Sequence, residues 1–81
     1  MNMRIKIWVK IRDMPMSLDK LKLIQEFTNR AEAIDISKNY QIGQSAKVTT
    51  SLDQHEANVK LITDEANARY VQLAKELEIV I

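Results

Sequence analysis

Arg4-Ile5-Lys6-Ile7-Trp8-Val9-Lys10-Ile11-Arg12 is the stretch on which the reading of the fold turns. Ile5, Ile7, Val9 and Ile11 alternate with Arg4, Lys6, Trp8, Lys10 and Arg12. Apolar residues at every second position predict a half-buried strand, with one face on a core and the other toward water. The wet face then carries four cations around Trp8.

Working outward, Asp13-Met14-Pro15-Met16 ends the strand. Ser17 reads as a helix N-cap, and Asp19 falls in the first turn, where the helix dipole favours an anion. Leu18, Leu21, Ile24, Phe27 and Ala31 repeat with helical period, which predicts an amphipathic helix to Ala33. Ile34 and Ile36 alternate with Asp35 and Ser37 as a second strand, and Lys38-Asn39-Tyr40 reads as a tight turn. A short third strand follows over 41–44. Ser45 then caps a helix of a turn or two, with Val48 and Leu52 facing inward. Asp53-Gln54-His55-Glu56 is a polar loop, and Val59, Leu61 and Thr63 mark a fourth strand. Thr63 or Asp64 caps the last helix, whose buried stripe is Ala66, Tyr70, Leu73, Ala74 and Leu77. Ile79-Val80-Ile81 is either a packed final turn or a frayed end. The predicted class is α+β in the order βαββαβα. It is an open-faced β-sandwich, a four-stranded sheet with helices on one face, in a single domain over 1–81.

The scarce residues exclude many functions. The 81 residues hold one Gly, one Pro, one His and no Cys. Gly43 alone cannot write a phosphate-binding or dinucleotide-binding glycine loop. Without Cys there is no thiol nucleophile and no zinc-thiolate site. His55 alone cannot form a His pair on a metal, so no metal and no cofactor is expected. A net charge of +1 sets no strong demand for nucleic acid or anionic lipid. No apolar run approaches the ~18–20 residues that span a bilayer, so no membrane partner is expected. The start of the chain lacks the apolar centre of a signal peptide, and the expected compartment is cytoplasmic.

The element order resembles the histidine-containing phosphocarrier (HPr) family of the bacterial sugar phosphotransferase system. The resemblance runs along nearly the whole chain. It is carried by Leu23-Ile24-Gln25, by Ile34 to Ile36, by Ser45 with Ser51-Leu52, and by Asp64-Glu65-Ala66. It implies a phosphorylatable His at the start of the first helix, where backbone N–H groups and the dipole hold the phosphoryl group. Here Met16 occupies the His slot, Leu18 the Arg slot and Asp19 the Pro slot. A thioether cannot accept a phosphoryl group. The resemblance therefore implies a divergent HPr-like member that has lost phosphoryl transfer and acts as a regulatory or protein-interaction module. Ser45 falls on the regulatory phosphorylation site of some family members, with a plain N-cap as the other reading.

His55 is either a base or a solvated loop residue beside Asp53 and Glu56, and no partner at catalytic spacing points to an enzyme. Met14 and Met16 flank Pro15 as either an adaptable binding surface or gap-fillers. Arg4, Lys6, Trp8, Lys10 and Arg12, with Lys47, form the candidate partner surface. The expected partner is another protein. The alternative is a small nucleic-acid-binding α+β domain that stacks bases on Trp8. Carboxylates such as Asp35 could instead balance the stripe. A third reading is a self-associating domain that buries the 79–81 tail.

Overall fold

The computed structural model describes residues 2–81, and every regular element in them is a helix. Helix α1 spans Met3–Arg12, α2 spans Leu18–Val48 and α3 spans Leu52–Glu76. The α+β sandwich, its four strands and its βαββαβα order are thereby overturned. With them goes the HPr-like architecture, and so does the alternative of a basic sheet face that binds nucleic acid.

Helix α1 shows why the alternation misleads. A period of two contains a period of four. Met3, Ile7 and Ile11 stand one above another on one helical face, and Ile5 and Val9 stand together on another. Ile7 and Ile11 are fully buried, while Ile5 remains 46% exposed. Asn2 caps the helix by accepting the Ile5 N–H at 2.9 Å. At the other end Lys20 Nζ donates to the carbonyls of Arg12 (2.9 Å) and Met14 (2.8 Å), which ties the turn at Pro15 to both helices.

Helix α2 begins as expected. Ser17 Oγ accepts the Lys20 N–H at 3.1 Å. It does not stop at Ala33. Ala31, Ile34, Lys38, Ile42 and Ser45 continue the inward spacing of Leu23, Ile24 and Phe27, all at least half-buried. No Pro occurs after Pro15 to break the helix. The expected second and third strands and the turn at 38–40 all lie inside it. Thr49 and Thr50 turn the chain, and Ser51 caps α3 by accepting the Gln54 N–H at 3.2 Å. The expected loop at 53–56 and the fourth strand are the first three turns of α3.

Helices α2 and α3 run antiparallel, with Ser45 beside His55 at the hairpin tip and Arg30 paired to Glu76 near the opposite end. At that opposite end α1 packs on both. The base formed there holds the core of Ile7, Ile11, Phe27, Ala31, Tyr70, Leu73, Ala74 and Ile79. Of the expected α3 stripe, Ala66, Tyr70, Leu73 and Ala74 are buried and Leu77 is half-buried. Beyond α1 the hairpin continues as a two-helix arm, and the longest dimension reaches 51 Å. The tail divides: Ile79 is 5% exposed while Val80 is 82% exposed.

Candidate functional site

Two polar clusters join residues far apart in sequence. The first closes the arm. Ser45, at the start of the last turn of α2, is the only buried polar residue among those described. It neither starts nor caps a helix. Its Oγ lies 3.2 Å from His55 Nδ1, accepts from Asn58 Nδ2 at 2.9 Å and lies 3.3 Å from Thr49 Oγ1. Asn58 Nδ2 also reaches Thr49 Oγ1 at 3.2 Å, and Gln54 Nε2 donates to Asn58 Oδ1. His55 is half-buried rather than solvated in a loop. Helical repeats place the four groups together: Ser45 and Thr49 are four apart, and His55 and Asn58 are three apart.

A serine hydroxyl has one donor and two acceptor sites. Asn58 occupies one acceptor site, and His55 Nδ1 and Thr49 Oγ1 stand at hydrogen-bond distance from the rest, which ties the hydroxyl into the hairpin tip. The contact with Ser45 Oγ is the one that orients the His55 ring among the described residues, and no carboxylate hydrogen-bonds it there. The open depression beside it, lined by Thr49, Thr50, Ser51, Leu52 and His55, is a saddle over the hairpin turn.

The second cluster joins the base to the arm. Arg4 of α1 pairs with Asp35 Oδ2, and the Tyr70 hydroxyl donates to Asp35 Oδ1 and lies 3.3 Å from the Ala31 carbonyl. One carboxylate thus links all three helices. Burial raises the Tyr70 phenol well above its ordinary pKa, and the bond to Asp35 adds to the shift. Farther down, the hydrogen bond from Arg30 holds the exposed Glu76 carboxyl below the usual carboxylate range. That pair borders a cleft over Ala33, Ile34 and Leu73. Arg30 and Glu76 oppose each other there, and Arg69 adds a further positive charge to the lining.

The sequence-predicted surface divides on the helix. Arg4, Trp8 and Arg12 stand in one column at four-residue spacing, and Lys6 and Lys10 stand in another. Arg4 is bound to Asp35, so that carboxylate does balance the stripe, but between helices. Trp8 is 41% exposed above a groove lined by Arg4, Ile5, Phe27 and Thr28. Met14 packs against the core, whereas Met16 is 74% exposed. Lys47 is exposed in the last turn of α2, two residues from the buried Ser45. The sequence reading named Ser45 and His55 separately and never paired them, because it placed one at a helix start and the other in a loop. Asn58 and Thr49 went unnoticed. Their signal is the continuation of helical spacing through 45–58.

No match was found among protein-family models, curated proteins or solved structures. Among the described residues no His, Cys, Asp or Glu grouping could hold a metal, and no helix is long and apolar enough to cross a membrane.

Proposed function

We propose that this chain is a protein-interaction module, a binder rather than an enzyme, and that its projecting arm is the docking element. The observation that carries this reading is the separation of core from arm. The apolar core sits in the base, and Ile36, Tyr40, Val48, Leu52 and Leu61 on the arm are all more than 60% exposed, as Met16, Leu18 and Val80 are at the base end. Scattered exposed apolar residues are ordinary, but five on a two-helix arm form surface that a protein partner can bury.

The shape supports the same reading. A monomer of 9.4 kDa is expected to expose about 5,000 Å². This chain exposes 5786 Å². The radius of gyration is 15.1 Å, against about 12 Å for a compact chain of this length. The excess area is similar to the ~800 Å² that each partner buries in an ordinary specific interface. The chemistry of the arm fits a helical partner, since exposed apolar side chains on helices pack into grooves of other helices.

Photo-crosslinking tests the reading. A photoreactive phenylalanine analogue replaces Tyr40 or Leu61 on the arm, or Lys22 on the base, in cells that express the full chain. The expected result is a protein adduct, identified by peptide mass, from the arm positions and not from position 22. Adducts from all three positions alike, or none from the arm, overturn the reading.

A further inference from the structure

Resting on that reading, we propose that the partner of the arm is a second copy of this chain, docked antiparallel along the outer face of α2 between Glu32 and Lys47. Glu32, Ile36, Tyr40, Gly43 and Lys47 follow one another at spacings of four, four, three and four. They form a single stripe four turns long, about 22 Å, turned away from the core. Ile36 is 69% and Tyr40 67% exposed, and the other three are exposed as well.

Gly43 is the only glycine in the sequence. A Cβ added there meets nothing within 4 Å, and its φ is not positive. The fold of one chain therefore makes no demand for glycine at this position. A helix interior disfavours it relative to alanine. What glycine supplies on an apolar helical stripe is room for another surface to approach the backbone.

The stripe is complementary to itself. About a two-fold axis between Asn39 and Tyr40, Ile36 meets the second copy's Gly43, and the Gly43 notch receives the second copy's Ile36. The same register sets Glu32 against Lys47, twice by symmetry. Neither Glu32 nor Lys47 belongs to an ion pair within the chain among the described residues. A two-fold interface requires such self-complementarity. The shape also permits it. In this register Val48 lies level with Ala31 of the second copy, so each base begins where the other hairpin turns. Arms overlap and bases stay clear.

Sedimentation of the full chain over a range of concentrations tests the proposal. The expected result is a reversible rise from the 9.4 kDa monomer toward twice that mass. Gly43→Leu fills the notch while favouring the helix, so it keeps the fold and weakens the dimer, by about tenfold or more in Kd. Glu32→Lys and Lys47→Glu each weaken it at low salt, and the two together restore it. In the same register Asn39→Cys yields a disulfide dimer on mild oxidation, whereas Glu56→Cys on α3 does not. A monomer at every concentration overturns the proposal, as does a dimer indifferent to Gly43→Leu and to the charge exchange. If the chain is monomeric while position 40 still crosslinks to a different protein, the inference falls and the docking arm stands. If neither association occurs, both fall.

Discussion

At the scale of single residues, two side chains hold more of the structure than their types suggest. Tyr70 places its hydroxyl between Asp35 and the Ala31 carbonyl. Tyr70→Phe leaves Asp35 with Arg4 alone, and the expected loss is about 1–2 kcal/mol in urea unfolding. The same contact sets a pH limit. Because the folded phenol pKa lies above the unfolded value of about 10, its contribution is complete below that pH. It is lost as pH rises through the folded value. In a Tyr40→Phe background, tyrosinate absorbance is expected to rise together with unfolding rather than before it. Glu78 is the second case. Its φ of 58° is the only positive one in the described residues that are not glycine. The Glu78 N–H bonds to the Lys75 carbonyl (3.1 Å) and the Ile79 N–H to the Ala74 carbonyl (2.8 Å). This is a Schellman ending with Glu where Gly is usual, and it turns Ile79 back onto the core. Glu78→Gly should therefore stabilise the fold by about 1 kcal/mol, read as an increase in the urea midpoint.

At the scale of elements, α1 depends on two residues. Ile7 and Ile11 are its only fully buried side chains, so Ile7→Ala is expected to cost about 2–4 kcal/mol. Loss of Trp8 fluorescence shift at lower urea than the helical signal would show α1 leaving first. The same element shows how far the sequence could be read. The helix start at Ser17, the stripe from Ile24 through Phe27 to Ala31 and the buried face at 66–74 were legible, because three or more apolar residues repeat there at helical spacing; Leu18 and Leu21, expected on the same stripe, are exposed instead. In α1 the alternation satisfied both periods, and tertiary packing chose the one with Met3, Ile7 and Ile11 aligned. In the arm the inward positions mix Lys38, Gln41, Ser45, His55 and Asn58 with Ile42, Val59 and Ile62. So many polar residues in the seam interrupt the hydrophobic period. Ile34 and Ile36 then read as alternation, although one faces in and the other out. The decisive signal was composition. The scarcity of Gly and Pro favours long uninterrupted helices over four short strands, each ended by a turn or loop. The tip cluster is hidden for the same reason, since its members meet only if 45–58 is a helical hairpin.

At the scale of the molecule, stability is graded along the long axis. The base buries eight core side chains, whereas the arm relies on half-buried Ile42, Val59 and Ile62 and on the Ser45 cluster. Hydrogen exchange should show arm amides opening with lower free energy than those near Phe27 and Leu73. Uniform protection along α2 would contradict this grading, unless it appears only at concentrations where the chain pairs. The placement of sulfur has a consequence of a different kind. Without cysteine, oxidative damage to sulfur falls on the thioethers. Met16 stands 74% exposed on the turn, while Met3 and Met14 pack on the core. Of the described methionines, dilute peroxide should convert Met16 to its sulfoxide first, with helicity and urea midpoint unchanged. Oxidation at Met14, partly shielded by the core, should follow more slowly, so the ratio of the two sulfoxides by peptide mass records how well the base protects that turn.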